Sequence, residues 1–135
     1  MTQILAFIAA HMGFLWEEAR YHITGSETTT SNGGDAYLLV ESSTLRLRFV
    51  QDRRQLFLDF QPCKPAPSRE WFSVDLIRRM FRGRPETSSL LDESYATFVQ
   101  DHFDEIESRF EDDSWPTTHA ALKLLKKKRA KELFG

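Results

Sequence analysis

Leu45-Arg46-Leu47-Arg48-Phe49-Val50-Gln51-Asp52-Arg53-Arg54-Gln55-Leu56-Phe57-Leu58-Asp59-Phe60 is the stretch whose periodicity settles the fold class. Leu45, Leu47 and Phe49 alternate with Arg46 and Arg48, and beyond the polar turn 51–54 Leu56, Leu58 and Phe60 alternate with Phe57 and Asp59. A period of two predicts two strands of a hairpin with one apolar face. Upstream, Ala36 to Glu41 reads as the preceding strand, closed by a Ser42-Ser43 turn. Arg20 to Thr30, rich in Thr, Tyr and Ile, reads as the strand before that, joined through Ser31-Asn32-Gly33-Gly34-Asp35, where glycine supplies positive φ cheaply. Four strands with short turns make an antiparallel meander, one face buried under helices and the other partly wet.

The flanks are helical. Ile4, Ile8, Met12 and Leu15 recur at steps of three and four, which predicts a first helix over residues 2–18 lying on the core. Pro62, Pro65 and Pro67 stop the sheet and stiffen a crossing loop through Cys63 and Lys64. Ser73 is placed to cap a short helix, Val74 to Arg82, with Asp75 in its first turn and Gly83 at its end. An apolar stripe through residues 90, 91, 95, 98, 99, 102, 103, 106 and 110 predicts one sustained helix with Asp92 as its N-cap. A last helix runs over 116–134, with basic residues toward its C-terminal end, where the helix dipole favours them. The expected architecture is α+β: one N-terminal helix, a four-stranded antiparallel meander, then three helices on one face of the sheet.

A chain of 135 residues with 41% hydrophobic and 13% aromatic residues can bury a core as one domain, 1–135. The single cysteine precludes an internal disulfide and fits a reducing compartment. The apolar N-terminal run lacks the basic start of a secretory signal and the length of a membrane span, so a cytoplasmic location without membrane contact is expected. A net charge of −2 argues against a protein that is basic throughout.

Several chemistries lack their residues. The chain has no GxxxxGK[ST], no GxGxxG, no HExxH and no Gly-x-Ser-x-Gly, and its one cysteine cannot build a zinc site on cysteine pairs. His11, His22, His102 and His119 stand singly; His102, inside the apolar stripe, reads as a hydrogen-bonded, partly buried core residue. Nothing proposes a catalytic site, a metal or a cofactor, and a non-enzymatic role is expected. Trp71 and Phe72 read as a pin between the crossing loop and the sheet, with an interface anchor as the alternative.

Charge is segregated instead. Residues 92–115 hold nine acidic groups and one basic, while residues 116–135 hold six basic and one acidic. Were the two helices antiparallel neighbours, this would be ordinary rim pairing. With the apolar stripe turned inward, however, Asp101, Asp104, Glu105, Glu111 and Asp112 are expected on the outer surface as a strip for a cationic partner protein, such as the substrate cleft of a nuclease. The alternative is a nucleic-acid-binding regulatory role through Lys123, Lys126, Lys127, Lys128, Arg129 and Lys131, with Arg46, Arg48, Arg53 and Arg54 as a second patch. No aromatic platform is interleaved with those lysines, which weakens it.

The 45–60 run, Glu70-Trp71-Phe72-Ser73-Val74-Asp75-Leu76 and Arg129-Ala130-Lys131-Glu132-Leu133-Phe134-Gly135 resemble small bacterial immunity proteins of polymorphic toxin systems in their layout. The similarity spans residues 36–135. Immunity proteins are small, cytoplasmic, often acidic, and block one toxin domain by binding it. The resemblance therefore implies a binding role, carries over no catalytic residue, and leaves the binding surface open.

Overall fold

The computed structural model describes residues 1–29, 34–64 and 70–134, and its element order is α+β. Helix α1 (Thr2–His11) leads through a 3-10 turn, Gly13–Trp16, into strands β1 (His22–Thr28), β2 (Ala36–Glu41), β3 (Leu45–Asp52), β4 (Gln55–Pro62) and β5 (Phe72–Ser73). Helices α2 (Val74–Arg82), α3 (Glu93–Asp101), α4 (Phe103–Arg109) and α5 (Trp115–Phe134) follow. The strands pair antiparallel in the order β1-β2-β3-β4-β5. The expected meander is present, extended by the two-residue β5, which pairs Phe72 with Phe60. The Ser31–Gly33 part of the predicted turn and the 65–69 part of the Pro-rich loop lie outside the described residues.

Alternation places the core. Leu47 faces Phe60 and Phe49 faces Leu58 across the β3–β4 ladder, and all four are at most 1% exposed. Val40 and Leu38 continue the row on β2, and Ile4, Ile8, Leu76, Ile77, Val99 and Ile106 close it from the helices. The opposite face keeps Tyr37, Arg46, Arg48, Val50 and Phe57 half-buried. There Arg48 pairs with Asp59 at 2.8 Å, Arg46 pairs with Glu41 at 2.7 Å, and both guanidinium groups lie over the Trp71 ring. Trp71 thus pins the chain to the sheet through stacking, while Phe72 is fully buried.

Three helix expectations are corrected. The first helix ends at His11 rather than 18: Met12 leaves helical geometry (φ −131°, ψ 29°), and Gly13–Trp16 tighten into a 3-10 turn that buries Leu15. The predicted single helix through 110 divides at His102 (φ −116°, ψ 18°) into α3 and α4, although His102 N–H still donates to Phe98 O at 3.1 Å. The division lets Phe103 pack on Phe14 and Tyr21 while His102 lies on Phe81 and Phe98. His102 is consequently exposed, not a core residue. Ser73 occupies the N-cap position of α2, but its hydroxyl makes no capping bond and donates to the Asp75 carboxylate. Asp92 does cap α3, accepting from Tyr95 N–H at 3.0 Å, and Gly83 ends α2 in the left-handed region that its lack of Cβ permits.

The β3–β4 turn stores strain. Arg53 (φ 52°) and Arg54 (φ 69°) both hold positive φ, as the tight hairpin demands, at a cost of about 1–2 kcal/mol per non-glycine residue. Arg53 N–H donates to Asp35 Oδ1 at 3.1 Å, and Arg54 O accepts from Gln3 Nε2 at 3.1 Å, which holds the turn in place. Arg54→Gly is expected to stabilise the fold by about 1 kcal/mol, seen as a raised urea midpoint at unchanged slope. A lowered midpoint would contradict the assignment of strain to this residue.

Candidate functional site: the acidic α3–α4 surface

The apolar stripe that builds the core also aims the carboxylates. Phe98, Val99, Ile106 and Phe110 are buried, so most carboxylates that lie off this stripe on α3, α4 and the following turn face outward. Asp101, Asp104, Glu105, Glu111 and Asp112 are all exposed. They form two groups rather than one continuous strip. Asp101, Asp104 and Glu105 surround a shallow cavity of about 270 Å³ at the His102 division, whereas Glu111 and Asp112 line another of about 380 Å³ with Ser43, Thr44 and Lys64.

Among the described residues, only Glu105 of these five has a cationic partner, Arg109, and that pair spans 3.8 Å. Such an exposed pair is worth less than about 1 kcal/mol. Arg109 and Arg82 lie instead over the Phe81 and Phe98 rings. The ion pairs that the basic helix makes lie elsewhere. Arg129 meets Asp75 at 2.9 Å, Lys126 reaches Glu70 at 3.6 Å, and Glu132 takes Arg79 at 2.9 Å. Helix α5 therefore docks on α2 and the entry to it, and the alternative of rim pairing between the basic helix and these five carboxylates finds no ion pair among the described residues.

One carboxylate of the acidic segment is internal. Glu107, 8% exposed, accepts from the Tyr21 hydroxyl at 2.6 Å and from Arg20 at 2.9 and 3.2 Å, tying the N-terminal segment to α4. Burial, together with this bond to Glu107, pushes the Tyr21 hydroxyl well above its ordinary value. Glu107→Ala is expected to cost about 2 kcal/mol, because the buried Tyr21 hydroxyl loses its charged acceptor and keeps only the Ser42 hydroxyl, while Arg20 remains half in water. Chemical denaturation checks this; an unchanged midpoint would remove the tie from the fold's energetics.

The two segments singled out around residues 70–76 and 129–135 meet in space through the Asp75–Arg129 and Glu70–Lys126 pairs, with Ser73 bonded to both Asp75 and Arg129. The buried side chains of α5, Trp115, Thr118 and Leu122, all lie in its first half, so ion pairs carry much of the attachment beyond residue 122. Burial alone would raise the Glu70 carboxyl, but the bond from His119 and the charges of Lys126 and Lys123 outweigh it and hold it below the ordinary range. The bond from Arg79 likewise holds Glu132 down. Carboxylates depressed in the folded state stabilise it above the ordinary value of about 4.3 and lose that contribution as pH falls through their folded values. Amide exchange over residues 123–134, taken relative to the intrinsic rate at each pH, is therefore expected to accelerate below about pH 4, or in high salt, before exchange over 115–122. Simultaneous acceleration of both halves would contradict it.

The remaining chemistry is spare. Cys63 donates to Ser42 O at 3.2 Å, and burial with the nearby Glu41 charge pushes its thiol up, away from nucleophilic use. No cluster of three or more His, Cys, Asp or Glu side chains suited to a metal ion occurs among the described residues, and no helix there is long and apolar enough to cross a membrane. No protein-family model, curated protein or solved structure matches the chain.

Proposed function

We propose that this chain is a non-enzymatic protein-binding module that offers its α3–α4 carboxylates to a cationic partner surface, and that it acts as an immunity protein against a bacterial toxin domain. One observation carries the reading. Asp101, Asp104, Glu111 and Asp112 are exposed and have no ion pair among the described residues, while the basic helix turns Lys126 and Arg129 toward Glu70 and Asp75 rather than toward these carboxylates. Carboxylates held on short helices over a packed core keep their geometry on encounter, so a basic partner meets a prearranged field at small ordering cost. A nuclease cleft built to hold phosphates has the complementary charge, and blocking it requires no chemistry from this chain.

The direct test is to read the neighbouring genes for a toxin domain and to co-express such a domain with this chain; absence of any toxin domain there would count against the reading. Growth arrest by the toxin should be relieved by the wild-type chain and restored when Asp101, Asp104 and Glu105 are all replaced by lysine, the variant remaining folded by circular dichroism. Relief that survives the triple substitution would remove the α3–α4 surface from the proposal.

A further inference from the structure

A groove of about 660 Å³ opens where Phe57 on the wet face of the sheet, the β5–α2 junction, the 86–89 loop and the second half of α5 come together. We propose that it binds a small organic monoanion, a carboxylate on an apolar body, held at its charged end by Arg129 and Lys126. The site shares no element with the α3–α4 carboxylates, so it stands or falls separately from the proposed partner binding.

Arg129 is poised rather than used up. Its Nη1 meets Ser73 Oγ at 2.8 Å and the Asp75 oxygens at 3.1 and 2.9 Å, while Nε and Nη2 have no hydrogen-bond partner among the described residues. The Asp75 side chain is only 8% exposed and anchors the guanidinium, which itself stays 30% exposed on the groove wall. A planar fork with two unspent donors, already immobilised, suits a carboxylate and loses little freedom on binding it. Lys126, three residues earlier on α5, sits 3.6 Å from Glu70, a loose pair whose ammonium is 44% exposed. Across the groove, the hydroxyls of Thr87 and Ser89 have no partner among the described residues.

Charge accounting selects the ligand's valence. Asp75 offsets Arg129 at 2.9 Å and Glu86 is bound to Arg78 at 2.5 Å, whereas Glu70 stands 3.6 Å from Lys126, so the least tightly paired cation facing the groove is Lys126. One such charge matches a carboxylate better than a phosphate dianion. The other wall is apolar: Leu133 and Phe134 line the groove with 69% and 87% of their surface exposed, and Phe57 faces them from the sheet. An apolar body laid between them gains by removing that surface from water.

The test is an NMR titration of the full ¹⁵N-labelled chain with octanoate, octan-1-ol and inorganic phosphate. Octanoate should shift the Arg129 Nε–H and the amides of residues 86–89 saturably, with Kd on the order of 1 mM for so small a ligand, and the other two probes should bind at least about tenfold more weakly. N-acetylphenylalaninate, a chain-end carboxylate, separates the sources: tighter binding than octanoate assigns the site to a peptide terminus, weaker binding to a free acid. Because Arg129 also holds α5, the variants are Lys126→Gln and Leu133→Asp, both at exposed side chains, expected to weaken octanoate by about threefold and about tenfold. Absence of a saturable shift, equal shifts from octanol, or wild-type titration by both variants would overturn the proposal.

Discussion

Glu86→Ala is expected to destabilise the protein by about 3–5 kcal/mol. Arg78 donates through Nε and Nη2 to one oxygen of Glu86, Oε1, at 2.8 and 2.5 Å, and the two side chains are only 11% and 8% exposed. The guanidinium also donates to Ser94 Oγ at 2.8 Å and lies 3.8 Å from the centre of the Tyr95 ring. Burial disfavours the Arg78 charge, and the bond and charge of Glu86 more than restore it. Removing Glu86 leaves a charged guanidinium buried against one hydroxyl and one ring, and the loop between α2 and α3 loses its anchor. The paired replacement Arg78→Met with Glu86→Leu should recover most of the loss, since apolar groups of similar size need no partner. Urea midpoints of the three proteins decide it; a single variant as stable as wild type would show that this pair does not hold α2 to α3.

The sheet was legible because its signal is local. In Leu45 to Phe60 each residue's neighbours two positions away report its face, and the structure buries the predicted alternate residues. Strand β5 carried no such signal: two residues have no period, and Phe72–Ser73 pair only because the chain returns alongside β4. The helix stripe through 110 faces inward at Leu91, Tyr95, Phe98, Val99, Ile106 and Phe110 but not at exposed Leu90 and His102, and the division at His102 answers to Phe14, Tyr21 and Phe81, which packing alone brings there.

The candidate surface divides in the same way. Exposure of Asp101, Asp104, Glu105, Glu111 and Asp112 followed from helical spacing, because each lies off the apolar stripe. Glu107 adjoins buried Ile106 and could not be told from its acidic neighbours, since Tyr21 and Arg20 stand 86 and 87 residues away. Asp75 read only as a first-turn carboxylate suited to the helix dipole. Its partner Arg129, 54 residues on, is what makes it the centre of the α5 attachment.

The second large effect concerns the central claim. Replacing Asp101, Asp104 and Glu105 by lysine changes the local charge by six units on a surface where, among the described residues, one weak pair is the sole internal compensation. Electrostatic steering depends on such fields, so association with a basic partner should slow by on the order of 10- to 100-fold at low ionic strength, with dissociation changing less. The effect should shrink as salt shortens the screening length to about 8 Å at physiological strength.

The most direct measurement is therefore the association rate constant of the wild-type chain and of this triple variant with a basic nuclease toxin domain that the wild-type chain neutralises, followed across ionic strength. A steep salt dependence for wild type, lost or inverted in the variant, is the expected result. Equal rates and equal slopes for the two proteins would mean that these carboxylates do not guide a partner.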